Sequence, residues 1–324
     1  MKRMKKERKE YSLCNKRESR EEKNSKLIKY FRGNFDLYLM MIPMIVFFVL
    51  FCYKPLPSLV IAFKKYSPFK GIAASPWCGL DHFIEFFRGP YAFRVIKNTL
   101  VISITSLVFG FPMPIIFALL LNELKTKKFK TIVQTTSYMP HFISVVVVCS
   151  LVVNFLSPTT GVVNNIIRFF GGQPVYFLSK PEWFVPIYTL MNIWMSTGYT
   201  AIIYIAALTS IPEDYYEAAK VDGANRWQRM RYISLPQLLP TIVIMLIINL
   251  GNILNVGYES IILLYNPGTY ETADIISTYI YRVGIAEARY DYATAIGLVN
   301  SVVSFFMVIM ANKLSNKLTD TGLW

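Results

Sequence analysis

Charged residues are absent from six long stretches of this chain, 37–53, 98–122, 131–167, 183–212, 232–258 and 292–312. Each can hold the roughly 17–25 apolar residues that an α-helix needs to cross a bilayer. Two of the stretches are too long to be all membrane. Turn formers in "SPTTGVVNN" (157–165) and "SIPED" (210–214) divide them. The pattern therefore predicts an all-α, polytopic membrane protein with six transmembrane helices, at about 37–60, 97–122, 137–157, 183–208, 234–257 and 292–312. These follow a basic, partly disordered tail, 1–32. Prolines at 43, 112, 114 and 140 are read as kinks whose freed carbonyls neighbouring helices re-satisfy. In the outer loop between the last two spans, Ile275, Ile276, Tyr279, Ile280 and Val283 recur at helical spacing with Gly284 as a stop. They predict an amphipathic helix lying on the membrane surface.

Composition agrees with the pattern, since 54% of the 324 residues are hydrophobic and only 17% are charged. Of the 34 lysines and arginines, 23 fall in the tail and in segments that share its side of the membrane. That bias places both termini in the cytoplasm, in a multi-pass protein of the cytoplasmic membrane. The formal charge of +14 is concentrated in the tail, where it suits anionic lipid head groups and implies no nucleic acid. Two distant histidines and no CxxC or HExxH spacing give no metal site.

The most hydrophilic interior loop, 211–235, is "IPEDYYEAAKVDGANRWQRMRYISL". Pro212 opens a helix with Glu213 and Asp214 in its first turn, Gly223 ends it, and Asn225 caps a second helix. The loop predicts a helix, a tight glycine turn and another helix at the membrane surface. Elsewhere, Asn192, Trp194 and Tyr199 in the fourth span could serve a sugar's rings and hydroxyls. At 100° per residue, Asn249, Asn252, Asn255 and Glu259 form one polar stripe along the fifth. Pathway lining and interhelical hydrogen bonding are both open readings of that stripe. On residues alone three functions remain open: a transport subunit, an ion-coupled secondary transporter, and a polytopic membrane enzyme of lipid-linked sugars.

Spacing narrows the choice. The run Glu217-Ala218-Ala219, three residues, Gly223, nine residues, Ile233, one residue, Leu235-Pro236 resembles the EAA signature of permease subunits of type I ATP-binding-cassette importers. "FALLLNELKTKKFKTIVQTTSYMPHFIS" (117–144) and the ending "KLTDTGLW" resemble their oligo- and polysaccharide branch, the LplB-like permeases. The resemblance implies a subunit, itself no enzyme, that forms half of a carbohydrate pathway. It implies as partners a second homologous permease, two ATP-binding-cassette ATPase subunits and an extracytoplasmic sugar-binding protein. Glu217, Ala218, Ala219, Asp222, Gly223, Ile233, Leu235 and Pro236 would then meet the ATPase. No G-x-x-x-x-G-K-[ST] loop occurs, so ATP and magnesium are expected on the partner ATPase and no cofactor on this chain.

Overall fold

The computed structural model describes residues 33–124, 126–254 and 256–319, and the expected basic tail lies outside them. The chain divides between Leu59 and Val60 into two compact units. The first holds α1 (Phe35–Phe47) and a π-helical turn, Phe48–Tyr53. The second holds α2 (Gly71–Ala74), α3 (Asp81–Arg88), α4 (Ala92–Thr105), α5 (Pro112–Asn122), α6 (Lys127–Tyr138), α7 (Val145–Phe155) and α8 (Val162–Phe169). It continues through α9 (Pro181–Thr209), α10 (Glu213–Val221), α11 (Arg226–Arg229), α12 (Leu235–Gly251), α13 (Tyr258–Leu264), α14 (Tyr270–Ala273), α15 (Ile276–Tyr281) and α16 (Tyr290–Thr319). Among the described residues there is no strand, only an isolated bridge between Lys64 and Trp77.

Prolines explain why several helical paths widen without breaking. Proline lacks an N–H, and its ring clashes with the carbonyl four residues back. At three prolines the chain takes a π turn just ahead of the ring, Phe48–Tyr53 before Pro55, Ser106–Gly110 before Pro112, and Met230–Ser234 before Pro236, while Pro43, Pro186 and Pro240 lie inside α-helices. Phe35–Phe63, Ala92–Asn122 and Arg226–Gly251 thereby remain continuous helical paths, and each, like Tyr290–Lys313, is long and apolar enough to cross a membrane.

The expected third span differs. Pro140 lies in a 3₁₀ turn, Met139–Phe142, Ile143 is extended, and Lys127–Phe142 meets Val145–Phe155 at 98°, so a sharply bent pair of helices stands in place of a straight helix over 137–157. The expected fourth span is α9, whose 29 residues are ample to cross but less apolar than the others. Its polar content reflects its position, because α9 packs against α5, α6 and α12. Ser196 and Thr197 also return their hydroxyls to carbonyls one turn back. By length and composition the described residues thus supply four spans, or five with the bent pair, where six were expected.

In the outer loop the apolar face of the expected helix is covered by the protein itself: Ile276, Tyr279 and Val283 are buried against Phe86, Val95, Tyr292 and Ile296. Gly284 does not stop the helix, which runs through a π turn to Ala286, and a Cβ at Gly284 would sit 2.8 Å from that of Ala293. The anchor is Asp274, fully buried, whose carboxylate accepts from Arg94 at 3.0 Å, from Arg282 at 2.8 and 3.2 Å and from Thr278 at 3.0 Å. Burial pulls the Arg282 guanidinium down, but Asp274 outweighs it and holds its pKa above the ordinary value. Removing this carboxylate leaves two arginines facing each other, so Asp274→Ala is expected to destabilise the protein by about 3 kcal/mol. Thermal unfolding of purified protein in detergent checks it, and an unchanged midpoint would refute it.

Candidate functional site

The loop 211–235 folds as its local signals require. Pro212 precedes α10, Glu213 and Asp214 occupy the first turn, and Lys220 the last. After Val221, Gly223 N–H reaches the Lys220 carbonyl at 3.1 Å and Ala224 N–H that of Ala219 at 2.8 Å. This pair of bonds is a Schellman cap, and it requires the left-handed φ of +78° that Gly223 adopts. Asn225 then caps α11, with its side chain accepting from Gln228 N–H while the Gln228 side chain accepts from Asn225 N–H, both at 2.8 Å. The second helix does not stop before Pro236 as expected; it runs on through the π turn into α12.

Glu217, Ala218, Asp222 and Gly223 are exposed on this elbow, and Ala219 is half-buried. Ile233 faces inward instead, packing on the cluster of Ile115, Leu119, Ala201, Tyr204 and Leu238. Leu235 and Pro236 are exposed where the path enters α12. The motif therefore has two parts, a solvent-facing helix and turn, and a hydrophobic root in the bundle. Tyr216, which the sequence reading passed over, joins them: it packs against the same cluster, and its hydroxyl lies 2.9 Å from that of buried Ser234. At the tip, Val221 is 88% exposed, an apolar side chain with no cover from its own chain.

The polar stripe is assembled differently from the expectation. α12 ends at Gly251 with Asn252 as its C-cap, and Glu259 is exposed in the first turn of the separate α13. Asn255 lies outside the described residues. No single helix face therefore carries Asn249, Asn252 and Glu259. What forms is a cavity of about 270 Å³ in which Asn249 and Asn252 meet Asn192 and Tyr188 of α9, Ser103 of α4 and Ser106 of the adjoining π turn. Each asparagine donates one amide hydrogen to the carbonyl four residues back on its own helix: Asn192 to Tyr188, Asn249 to Met245 and Asn252 to Ile248. All three of these bonds stay within one helix. A carboxamide has two donors and an acceptor, so further capacity remains for the cavity. Ser103 bonds the Ile253 carbonyl, and the buried Ser106 hydroxyl has no partner.

Trp194 and Tyr199 do not line that cavity. Trp194 is two residues, hence about 200°, from Asn192 around α9 and is half exposed. Tyr199 stacks on His141 with ring centroids 3.8 Å apart and planes 5° from parallel. Tyr188 was readable in sequence, four residues before Asn192 on the same face. Ser103 and Ser106, an i, i+3 pair in an apolar run, left a fainter signal.

The family model described as binding-protein-dependent transport system inner membrane component matches residues 110–320. The polygalacturonan/rhamnogalacturonan transport system permease protein YteP of Bacillus subtilis (strain 168) is 43% identical over 305 residues, 94% of this chain and 95% of that protein. Protein LplB of the same organism is 41% identical over 288 residues, 89% and 91% of the two chains. A chain in the crystal structure of a bacterial alginate ABC transporter, in complex with its alginate pentasaccharide-bound periplasmic protein, is 51% identical. It has a TM-score of 0.84 and covers 91% of this chain and 99% of that one.

Proposed function

We propose the following for this chain, which belongs to the family of binding-protein-dependent transport system inner membrane components and is a permease subunit of an oligo- or polysaccharide importer. It sits in the cytoplasmic membrane beside a second, homologous permease, and together they enclose the sugar pathway. A sugar-binding protein delivers cargo at the outer face. Two ATPase subunits, which hold the ATP and magnesium, grip the elbow from Glu217 to Gly223 at the inner face. Alternating closure and release of the ATPases then moves α9 and α12, the helices from which the elbow emerges, and so reshapes the cavity between them.

The observation that carries this reading is the convergence of Asn192, Asn249 and Asn252, from two helices, on one cavity at the end of α12 away from the elbow. Three carboxamides and three hydroxyls offer donors and acceptors to sugar hydroxyls. The lining holds no Asp or Glu, so an acidic sugar meets no like charge. The named cargoes of the relatives above, polygalacturonan, rhamnogalacturonan and alginate, are acidic polymers, and we extend that class to this chain as oligosaccharides containing uronic acid.

Proteoliposomes holding the whole complex test the pathway. Asn192→Leu and Asn252→Leu are each expected to lower uptake of a uronic-acid oligosaccharide about tenfold, the loss of one or two hydrogen bonds to cargo, with assembly intact. Wild-type uptake kinetics in both variants would remove the cavity from the pathway. Uptake that persists without ATP but follows an imposed ion gradient would instead favour a secondary carrier.

A further inference from the structure

The elbow is joined by backbone to α9 through Ser210–Pro212 and to α12 through the π turn, and the Tyr216–Ser234 bond reinforces the second of these joins. Ile233 of the π turn packs on Ile115 and Leu119 of α5, but beyond those apolar contacts the elbow faces the end of α5 across a cleft of about 540 Å³ lined by Glu123, Lys130, Glu213, Glu217 and Arg229. Arg229 crosses that cleft. Arg229 sends Nη1 to the Ala224 carbonyl at 3.1 Å, directly behind the Gly223 turn, and Nη2 to Glu123 Oε2 at 3.4 Å. Both side chains of the ion pair are about 15% exposed, so solvent screens it less than a surface pair.

Glu123 is the C-cap of α5, the end of a helix where the backbone dipole disfavours a carboxylate. Its charge is opposed by its own helix and offset by the guanidinium opposite. Near the middle of the same helical path, Ala92–Asn122, lie Ser103 and Ser106, two of the cavity's hydroxyls. Seventeen residues separate Ser106 from Glu123, about 25 Å along a helix.

We propose that the Glu123–Arg229 pair is a strut that passes displacement of the elbow to the α4–α5 helix, so that the wall of the cavity carrying Ser103 and Ser106 moves together with those formed by α9 and α12. The inference rests on the coupling role proposed above for the elbow. Arg229 suits the task because one planar group holds both the turn and the distant carboxylate. A lysine brings its donors on a single nitrogen, without the two spaced nitrogens that reach these contacts from one plane. In this scheme both residues are positioning residues, acting through the helix that Glu123 ends.

The test uses the assembled complex in proteoliposomes, with the ratio of sugar imported to ATP hydrolysed as readout. Glu123→Gln and Arg229→Gln are each expected to lower that ratio about tenfold while hydrolysis continues. The double variant should be no worse than either single one, because the two side chains act as a unit. Arg229→Lys is expected to fall between wild type and Arg229→Gln. A merely structural pair would reduce the yield of complex and leave the ratio unchanged. A photo-reactive residue at Val221 separates this inference from its premise. If Val221 crosslinks to the ATPase and the ratio does not move in either single variant, the strut is wrong and the elbow's role stands. If no crosslink forms in the otherwise wild-type complex, the elbow's role falls and the strut with it.

Discussion

Gly223→Val is expected to yield a chain that inserts and assembles but imports almost no sugar. The reason is conformational and not one of space. A Cβ at this position would meet no atom within 4 Å, so the fold itself has room for the side chain. What it lacks is an allowed backbone, because at φ +78° a β-branched residue is strained by about 2 kcal/mol or more. That strain is enough to shift the balance of turn conformers about thirtyfold. Relief comes only by giving up the two bonds of the Schellman cap, which rotates α10 relative to α11. Asparagine tolerates the left-handed region, so Gly223→Asn is expected to retain uptake within about threefold of wild type. Sugar uptake and sugar-stimulated ATP hydrolysis, normalised to the chain recovered in membranes, measure both variants. Full activity of the valine variant would mean that the turn carries no force. Equal loss in both variants would mean that the ATPase approaches Gly223 too closely for any side chain, a contact requirement in place of a conformational one.

The elbow was legible because its signals are local. An acidic first turn after Pro212, a glycine at the helix end and Asn225 as the N-cap of the second helix each specify geometry within a few residues, and the chain obeys all of them. The cavity was half legible. Asn192, Asn249 and Asn252 were marked by their polarity in apolar runs, but the face they share was misjudged. The projection assumed an unbroken helix past Gly251, although Gly251 and Gly257 bracket that stretch. A Cβ at Gly251 would press to 2.8 Å from Val308 Cγ2, so packing against α16 demands the glycine, and the helix ends there.

Errors of a second kind came from partners distant in sequence. The spacing of Ile276, Tyr279 and Val283 fits a membrane-surface helix as well as a buried one. The deciding fact is that Asp274, just ahead of them, pairs with Arg94, 180 residues away in the sequence. Periodicity shows that a helix has an apolar face but not what covers it. The bent third span is a different case again: Pro140 and Ser144 stood in view, but an apolar run long enough to cross a membrane masked the break within it.

Gly198 shows how closely α9 is held at the centre of these helices, and replacing it is expected to be the most damaging single change to folding. A Cβ there would lie 2.0 Å from the Ser137 carbonyl oxygen and 2.4 Å from its carbon, so α9 crosses α6 backbone against backbone. Small residues permit such contact between helices in a membrane, and no rotamer change relieves a clash with a carbonyl. For Gly198→Ala the two helices must separate by more than an ångström, at an expected cost of about 3 kcal/mol. Gly198→Leu leaves no room for the native crossing and is expected to give little folded protein. Gly110→Ala is the control: its Cβ would meet only Ile193 Cγ1 at 3.9 Å, ordinary contact, and it should fold as wild type. Size-exclusion profiles and unfolding midpoints in detergent distinguish the three. The close crossing also fixes where Tyr199, one residue on, meets His141 and where Asn192, six residues back, faces the cavity. A Gly198→Ala chain that folds at reduced yield is therefore expected to show weakened uptake as well. Wild-type stability of Gly198→Ala would mean that the two backbones do not approach as closely as this.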